Sequence, residues 1–378
     1  MMHERVPYFF EPMGKIVGIT YDLKSDWPSG PNDPVDASAE FDSPQTVENI
    51  CRALKSRGHR VKKIGNARNL LKEIDHLDVD IVFNICEGFA GRSRESQVPV
   101  LLEMFGIPYV GSDGLTMGIA LDKIAAKKCF LSEGIPTPRF FTAKNSNRLG
   151  PFDSPLSAEQ SVFGLDQGEP LKKNSTRAQI NSIGFPLIVK PSQEGSSKGL
   201  SEKSRVTDFE GLKRQIEGVH HTYHQSALVE EFIRGTEFTV AVIGNDHPQA
   251  MPVVQVSIDG VRELGDDFYT FSRLLNPDRV QYLCPADIPK NLEQKLKALA
   301  VRVYNCVECL DFGRVDFRVD EKGNPTVLEI NPLPCLAIND IFFFTAKAMG
   351  FTYEDIINHI LELALVRYGM NDHKEAKT

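Results

Sequence analysis

The stretch FGRVDFRVDEKGNPTVLEINP, residues 312–332, is the part of the chain that decides the fold. It contains two runs rich in β-branched and aromatic residues, separated by a cluster of turn-forming residues at 320–325. This pattern predicts a strand, a polar turn and a second strand that returns alongside the first. The remaining elements of the chain can be placed relative to this hairpin.

Polar side chains of the hairpin are spaced so that they converge. Side chains alternate between the two faces of a strand, so Arg314 and Asp316 share a face of the first predicted strand, and Glu329 and Asn331 share a face of the second. Asp316, Glu329 and Asn331 are hard oxygen donors, a ligand set that suits Mg²⁺. A structural ion pair, or a solvated face of alternating charges, is the other interpretation.

Composition restricts the class of protein. The 378 residues suffice for two or three domains, and the net charge of −8 argues against a surface that binds nucleic acid. No apolar stretch approaches the ~20 residues needed to span a bilayer, and the N-terminus lacks the pattern of a secretory signal. Seven scattered cysteines favour free thiols in a reducing compartment. We therefore expect a cytoplasmic protein without membrane or nucleic-acid partners.

The first part of the chain alternates short apolar strands with helices. Strands are predicted at Lys15 to Tyr21, Arg60 to Ile64 and Asp80 to Ile85, with a helix from Pro44 to Gly58. Such alternation indicates a parallel sheet with crossover helices, a Rossmann-like domain. In sheets of this kind ligands bind beyond the carboxyl ends of the strands.

Two polar loops follow these strands. One contains Glu40 and Asp42; the other, EGFAGRSRESQ at residues 87–97, contains Arg92 and Arg94 and leads into a predicted helix. A helix N-terminus attracts anions, and the two arginines would strengthen that attraction. A flexible surface loop is the alternative interpretation.

The middle of the chain carries a second set of candidates. The predicted strand FPLIVKP, residues 185–191, ends in Lys190 and is followed by SQEGSSKGL, residues 192–200, a loop able to wrap phosphates with backbone N–H groups and hydroxyls. Residues 145–181 are predicted to be a polar surface loop or variable helix. Residues 255–289 are predicted to be a long loop, within which Asp259 to Pro277 is the candidate for a lid over the active site.

Several phrases, in this order, resemble those of the D-alanine–D-alanine ligase family of the ATP-grasp superfamily: FNICEG, LLEMFGIPYVGSD, ALDK, FPLIVKPSQEGSSKG, VEEFIRGTEFTVAVIG, QYLCPADIP, GRVDFRVDEKG and LEINPLP. The resemblance runs from about Lys15 to Gly369. It implies an α/β (α+β) ATP-grasp fold with three parts: a Rossmann-like N-terminal substrate domain (1–120), a central ATP-grasp domain (121–232) and a C-terminal ATP-grasp domain with the lid and the Mg²⁺ site (233–378). The sheets of the last two parts would clamp ATP, and homodimers are common in the family.

The resemblance also implies roles for individual residues. Arg314 would stabilise the transferred phosphoryl group, Ser196 would lie near substrate, and Glu40 would hold the ammonium group of the first substrate. Asp316, Glu329 and Asn331 would hold one or two Mg²⁺ ions, with Mn²⁺ as the alternative metal. ATP would contact eight residues: Lys123, Lys190, Ser196, Ser197, Glu230, Glu231, Ile233 and Glu237. Of these, Glu230 and the backbone at Glu231 and Ile233 would bind adenine, and Glu237 would bind the ribose hydroxyls.

The substrate side departs from the family pattern. A histidine of the family is Glu87 here, an acidic turn has become the segment with Arg92 and Arg94, an oxyanion-binding glycine is Cys335, and a serine that binds the second substrate's carboxylate is Asp340. A Lys-Tyr pair of the lid becomes residues 274–275, both leucine. Two arginines would favour a first substrate with an extra anionic group. Asp340 would favour an acceptor amine that is cationic or has no nearby carboxylate.

We therefore expect an ATP-dependent ligase that joins a carboxylate to an amine through an acyl phosphate, with at least one small-molecule substrate other than D-alanine. Two alternatives remain open. The protein could be a true D-alanine–D-alanine ligase of peptidoglycan synthesis, or an ATP-binding protein without catalytic activity.

Overall fold

The computed structural model describes residues 14–28, 30–31, 33–144, 162–163, 180, 182–276 and 278–370 of the chain. Most of the polar segment predicted at residues 145–181 therefore lies outside the described residues. Within the described ranges, no helix is both long and apolar enough to cross a membrane. All seven cysteines are free thiols, which confirms the expectation from their number and spacing.

The strands assemble into three sheets, and they are numbered here in chain order. Their bounds are β1 Ile16–Tyr21, β2 Arg60–Gly65, β3 Ile81–Ile85, β4 Tyr109–Val110, β5 Phe140–Ala143, β6 Val162–Phe163, β7 Leu187–Pro191, β8 Arg205–Val206, β9 Ala227–Glu231, β10 Thr236–Ile243, β11 Gln249–Ala250, β12 Val254–Ile258, β13 Val280–Leu283, β14 Phe312–Val319 and β15 Pro325–Asn331.

Helices connect and cover the sheets. Their bounds are α1 Pro44–Ser56, α2 Ala67–Glu73, α3 Gln97–Met104, α4 Gly114–Leu121, α5 Lys123–Ser132, α6 Phe209–Tyr223, α7 Phe271–Leu274, α8 Lys290–Cys306, α9 Ile341–Ala348 and α10 Tyr353–Arg367.

The N-terminal sheet is parallel and has the strand order β2-β1-β3-β4. Helix α1 begins where the sequence predicts: the hydroxyl of Ser43 accepts a hydrogen bond from the backbone N–H of Thr46 at 3.1 Å, and Pro44 occupies the first turn, where its missing N–H costs nothing. The predicted Rossmann-like alternation of strand and helix is confirmed.

The other two sheets are antiparallel. The central sheet has the order β6-β5-β9-β7-β8, and the C-terminal sheet has the order β13-β12-β10-β14-β15 with β11 beside β10. The predicted hairpin is formed by β14 and β15. Its register places Asp316 opposite Glu329 and Arg314 opposite Asn331, so all four side chains lie at one place on the sheet.

The prediction of one long loop over residues 255–289 is wrong. Strands β12 and β13 form an antiparallel pair within it, and the short helix α7 lies between them. The five residues of β12, VQVSI, are all buried, so tertiary packing fixes a strand that its polar residues concealed. The described residues of the lid candidate, 259–276, therefore include α7 and lie between two paired strands.

The apolar core joins the beginning and the end of the chain. Val17, Phe83 and Leu54 of the N-terminal layer belong to the same buried cluster as Ile357 and Leu361 of α10. A second cluster lies between the C-terminal sheet and α8, and a third supports the central sheet. The first cluster also contains residues of β10, β12 and β14, so the N-terminal layer packs directly against the C-terminal sheet.

Candidate active site

The first large cavity, called here the intersheet cavity, lies between the central and C-terminal sheets. Its volume is about 240 Å³, with β7 and β9 on one wall and β10, β14 and β15 on the other. All eight residues predicted to contact ATP line it, together with Arg314, Asp316 and Glu329. The structure thus brings together residues that are up to 206 positions apart, from Lys123 to Glu329.

Buried lysines line one end of the intersheet cavity. The carboxylate of Glu230 forms ion pairs with both Lys127 and Lys190, each at 2.5 Å. Burial alone would raise the pKa of Glu230, but the two lysines hold it below its usual value, and burial lowers the pKa of Lys127 to about 8. Lys123, the first residue of α5, donates to the backbone oxygen of Glu194 at 2.7 Å and pairs with Glu329 at 2.8 Å.

The serine-rich loop at residues 192–200 covers the intersheet cavity. Ser196 and Ser197 both have left-handed backbone conformations, with φ of 45° and 56°. Such turns present backbone N–H groups on a concave surface, which is a common way to bind phosphate. Two carboxylates of the N-terminal part hold the loop in place. Glu40 accepts a hydrogen bond from the N–H of Gly195 and forms an ion pair with Lys198. Asp36 accepts a hydrogen bond from the N–H of Gly199 at 2.7 Å.

Gly195 allows this close approach. A Cβ atom built on Gly195 would lie 2.7 Å from Oε1 of Glu40, well inside van der Waals contact. A side chain at position 195 would therefore require the carboxylate of Glu40 to move away from the loop. The sequence shows the glycine, but not what it approaches.

Paired cations neutralise the carboxylates of the hairpin. Arg314 donates two hydrogen bonds to Asp316, at 3.0 and 2.9 Å, and Asp316 also accepts from Thr239 at 2.6 Å and from the amide of Asn331 at 3.1 Å. Burial would raise the pKa of Glu329, yet Lys123, and then Lys190, lower it to about 2. The carboxylate of Glu329 is therefore negatively charged at neutral pH.

This donor set fits a hard divalent cation. Asp316 and Glu329 are opposite residues on paired strands and both face the intersheet cavity, and the amide oxygen of Asn331 is available from the next position on the same face. Ionised carboxylates and an amide oxygen beside a cavity that can admit phosphates are what Mg²⁺ requires. The residues predicted to hold Mg²⁺ are thus suitably placed.

Two other residues predicted to contact ATP have protein partners. Glu237 accepts a hydrogen bond from Arg318 at 2.8 Å, and Glu231 forms two hydrogen bonds with Arg139, at 2.7 and 2.9 Å. The backbone N–H of Glu231 is also used, since it donates to the backbone oxygen of Arg139. These arginines fix the orientation of the two carboxylates on the wall of the intersheet cavity.

The second cavity, called here the substrate cavity, has a volume of about 560 Å³ and lies between the N-terminal sheet, the hairpin and the segment after it. It shares five lining residues with the intersheet cavity: Lys123, Ser196, Arg314, Cys335 and Asp340. Glu40, Glu87 and Asn331 also line it. The two cavities therefore meet at the lysine, serine and arginine predicted to act on the reacting groups.

The two arginines do not face the substrate cavity as predicted. The side chain of Arg92 is 66% exposed and pairs with Asp122 at 2.6 Å. Arg94 is buried, but it donates to Glu40 at 2.7 Å and to the backbone oxygen of Gln193 at 2.8 Å. Arg92 lines neither cavity, and Glu40 compensates the charge of Arg94. The structure therefore contradicts the prediction that these arginines select an anionic substrate group.

Carboxylates dominate the same region instead. Oxygens of Glu40, Glu87 and Glu95 lie within 4.8 Å of one another. Burial, reinforced by neighbouring carboxylates, raises the pKa of Glu87 well above its usual value; burial also raises the pKa of Glu95 to about 7, although Arg94 acts against it. Arg94 and Lys198 overcome burial at Glu40 and lower its pKa. Glu40 is thus compensated by the protein, and the other two carboxylates are not.

Asp340 and Cys335 line both cavities beside Arg314. Asp340 caps α9 by accepting from the N–H of Ile341 at 2.6 Å, and burial raises its pKa although Arg314 opposes the rise. Burial raises the pKa of Asp42 to about 7, and repulsion from the nearby carboxylate of Asp340 adds to this rise. This end of the substrate cavity is therefore also acidic.

The lid candidate reaches the phosphate side of the site. The N–H of Phe271 donates to the backbone oxygen of Leu200 at 3.2 Å, and Leu275 lines the substrate cavity while remaining 68% exposed. The guanidinium of Arg273 donates to the backbone oxygen of Phe268 at 2.8 Å and stabilises the loop internally. These contacts connect the lid to the serine-rich loop.

Three residues of the site were not identified from the sequence. Lys127 follows Lys123 by one helical turn, a spacing that could have indicated a second inward-facing lysine. Lys198 lies within the serine-rich loop, and Glu95 within the loop that contains the two arginines. No periodic signal marks either, because loop side chains are oriented by tertiary contacts.

Comparisons with known proteins agree with this geometry. A family model described as "D-ala D-ala ligase C-terminus" matches residues 159–362. The D-alanine–D-alanine ligase of Pelotomaculum thermopropionicum is 32% identical over 327 residues, which cover 86% of this chain and 93% of that protein.

Solved structures show the same fold. The D-alanine–D-alanine ligase of Bacillus anthracis complexed with ATP aligns with a TM-score of 0.68 at 21% identity, covering 95% of this chain and 99% of that one. The VanG D-Ala:D-Ser ligase of Enterococcus faecalis aligns with a TM-score of 0.64 at 19% identity, covering 93% and 99% of the two chains. The predicted ATP-grasp architecture is confirmed.

Proposed function

Because the chain belongs to the D-alanine–D-alanine ligase family of ATP-grasp enzymes, and is thus an ATP-dependent ligase that acts on small molecules, we propose that it forms an amide bond through an acyl phosphate with at least one substrate other than D-alanine. The observation that supports this proposal is the junction of the two cavities. Lys123, Ser196 and Arg314 line both, so a nucleotide in one and a carboxylate in the other would meet there.

The first step transfers the γ-phosphoryl group of ATP to the carboxylate. A carboxylate oxygen forms a bond to the γ-phosphorus. The bond between that phosphorus and the oxygen bridging it to the β-phosphate breaks, and its electron pair stays on ADP. Phosphoryl transfer depends on position and charge neutralisation, which Lys123, Lys190, Arg314 and the N–H groups of the serine-rich loop would supply. Bound Mg²⁺, held by Asp316, Glu329 and Asn331, would polarise the phosphate oxygens.

The second step joins the amine. A neutral amine nitrogen attacks the acyl carbon, the carbon–oxygen bond to phosphate breaks, phosphate leaves with the electron pair, and the amine loses a proton. Arg314 would stabilise the oxyanion that forms on the way. An acyl phosphate hydrolyses readily, so water must be excluded, and the lid predicted at residues 259–277 would do this.

The proposal of a substrate other than D-alanine is based on the acidic residues of the substrate cavity. Asp340 and Glu87 occupy positions where the family resemblance places a serine and a histidine, and both face this cavity. A carboxylate at Asp340 would repel the carboxylate of a second amino acid. The VanG structure is named for a D-Ala:D-Ser ligase, so a second substrate other than D-alanine is compatible with this fold.

A true D-alanine–D-alanine ligase is the second candidate function, and the name of the Pelotomaculum relative favours it. An ATP-binding protein without catalytic activity is the third. It would be expected to lack at least one of the lysines, the arginine or the metal ligands, all of which are present.

Release of ADP with Mg-ATP distinguishes the three functions. The chain is incubated with single amino acids, pairs of amino acids, and amino acids with amines, and products are identified by mass spectrometry. We expect amide products with partners other than D-alanine. Formation of D-alanyl-D-alanine from D-alanine alone, at a rate no lower than with any other pair, would establish the second candidate. ATP binding without ADP formation from any pair would establish the third.

A further inference from the structure

The substrate cavity contains more negative than positive charge. Its lining includes five carboxylates and three cations: Glu40, Asp42, Glu87, Glu95 and Asp340 against Lys24, Lys123 and Arg314. Charge that is already paired within the protein cannot select a ligand, so the partners of each group decide what the cavity can bind.

Three of these eight groups are compensated by their neighbours. Lys123 pairs with Glu329 at 2.8 Å and Arg314 with Asp316 at 2.9 Å. Glu40 uses both of its oxygens, one for Arg94 and the N–H of Gly195 and the other for Lys198. Of the groups that remain, four are carboxylates and one is the cation Lys24.

Three of the four remaining carboxylates lack the hydrogen-bond partners that buried charges require; the fourth, Asp340, accepts from the N–H of Ile341. Asp42, Glu87 and Glu95 accept no side-chain hydrogen bond from any residue that the structure describes. Glu95 is only 7% exposed, and its nearest cation, Arg94, is 4.0 Å away and already bonded to Glu40. An unpaired carboxylate in such a place is unfavourable unless it is protonated or a cation is bound beside it.

We propose that the substrate cavity binds a substrate with at least two cationic nitrogen atoms, a diamino acid or a diamine, with one ammonium group held by Glu87 and Glu95 and the other by Asp42 and Asp340. This inference rests on the proposed function. An ordinary zwitterionic amino acid has no net charge and cannot offset four carboxylates opposed by one lysine. A second ammonium group supplies the missing positive charge and donors for both acidic ends of the cavity.

A divalent metal ion is the competing occupant, because Glu40, Glu87 and Glu95 are close enough to share one. Each oxygen of Glu40 already accepts from a cation, so a metal would have to displace Arg94 or Lys198. An ammonium group needs only the two free carboxylates. The observed hydrogen bonds therefore favour the organic cation.

The test compares each diamino compound with a monoamine analogue of the same length. Both enantiomers of ornithine and lysine, and 1,4-diaminobutane, are compared with norvaline, norleucine and butylamine, as donor or acceptor with Mg-ATP. We expect kcat/KM for the better diamino compound to exceed that of its analogue by about ten-fold or more, the worth of a charged hydrogen bond. Equal values for the two members of every pair would overturn the inference, while leaving the ligase function intact.

Variants assign the effect to the cavity. Glu95→Gln and Asp42→Asn remove one negative charge from each end while keeping size, and each should reduce the preference for the diamino compound about ten-fold. Glu217→Gln on α6, whose side chain is 64% exposed and outside both cavities, is the matched control and should leave the preference unchanged. Retention of the full preference in both cavity variants would overturn the assignment.

Calorimetry separates failure of this inference from failure of the proposed function. The full chain is titrated with the diamino compounds without nucleotide, and separately with Mg²⁺ and with Ca²⁺. Binding of a diamino compound without any ADP formation would support the cavity assignment and reject the ligase function. Absence of both binding and turnover would reject both, and binding of a metal ion that Glu95→Gln abolishes would replace the ammonium ligand with a metal.

Discussion

The proposed chemistry depends on single residues at the junction of the two cavities. Arg314 is fixed by two hydrogen bonds to Asp316, a geometry that only the planar guanidinium can provide. Its spacing of two residues from Asp316 makes their shared face predictable from the sequence. The orientations of Arg92 and Arg94 were not predictable, because these residues lie in a loop where no repeat fixes which side chain turns inward.

Replacing Arg314 by lysine should therefore impair catalysis more than folding. Arg314→Lys keeps the charge but loses the bidentate contact, and we expect ADP formation to fall about 100-fold or more, as for loss of one electrostatic stabiliser of a transition state. Arg57→Lys is the matched control, because Arg57 forms an exposed pair with Asp355 at 2.7 Å. Similar ADP formation by the two variants would show that Arg314 has no catalytic role.

The raised pKa of Glu95 predicts a dependence of stability on pH. Glu95 faces Arg94, Glu40, Glu87, Glu194 and Lys123, and burial outweighs the two cations to give a pKa of about 7. The folded protein therefore keeps a proton that the unfolded chain loses near pH 4, so ionisation lowers stability as pH rises from about 4 to about 7.

Removing the negative charge of Glu95 should stabilise the protein at pH values above about 7 and have little effect near pH 4. Glu95→Gln should raise the free energy of unfolding at pH 8 by about 1 to 3 kcal/mol, since each pKa unit corresponds to about 1.4 kcal/mol, and by much less at pH 4. Urea unfolding at the two pH values measures this difference. An equal effect at both would show that Glu95 carries no buried charge.

Among the elements, the hairpin could be predicted from the sequence, whereas the contacts of the serine-rich loop could not. Strands β14 and β15 follow from their alternating pattern, and the structure confirms them. Strands β12 and β13 were missed, because mixed polar and aromatic residues around them resembled a loop. The attachment of the serine-rich loop to Asp36 and Glu40 depends on contacts across more than 150 positions and has no local signal.

This attachment predicts a local change in dynamics. Asp36 accepts from the N–H of Gly199 at 2.7 Å and from the hydroxyl of Tyr223 at 2.8 Å, so Asp36→Ala should release the loop. We expect faster amide hydrogen exchange at residues 192–200, with no change in the hairpin, and a several-fold higher KM for ATP. Asp33→Ala, in the same segment but at an exposed residue that accepts from Trp27 and Gly30, is the control. Unchanged exchange in the loop would contradict the attachment.

The whole molecule is organised by its three sheets, and we propose that residues 1–120, 121–232 and 233–378 form its domains. The sequence indicated this order through its motifs. It did not reveal that α10, at the far end of the chain, packs on α1 of the N-terminal layer, where Asn358 donates to the backbone oxygen of Ala53 at 2.7 Å. An amphipathic helix shows which face is buried, but not which element covers it.

The shared core predicts that the first and last parts unfold together. Trp27 is the only tryptophan, and its ring packs against Phe41 and Phe89, so its fluorescence reports on the N-terminal part. We expect the fluorescence transition in urea to coincide with the loss of the N-terminal and C-terminal helices measured by hydrogen exchange. Asn358→Ala should lower the free energy of unfolding by about 1 to 3 kcal/mol and shift both transitions to lower urea concentration by the same amount. Separate transitions would show that the N-terminal part is an independent unit.

The most direct test of the ligase account follows oxygen atoms. A pool of amino acids with ¹⁸O-labelled carboxylates is incubated with the chain, Mg-ATP and unlabelled amines, and the released inorganic phosphate is analysed by mass spectrometry. The acyl-phosphate route moves one carboxylate oxygen to phosphate, so we predict phosphate carrying one ¹⁸O, formed together with ADP and an amide. Unlabelled phosphate would mean simple hydrolysis of ATP, and label in AMP would mean an adenylate; either result would contradict the account.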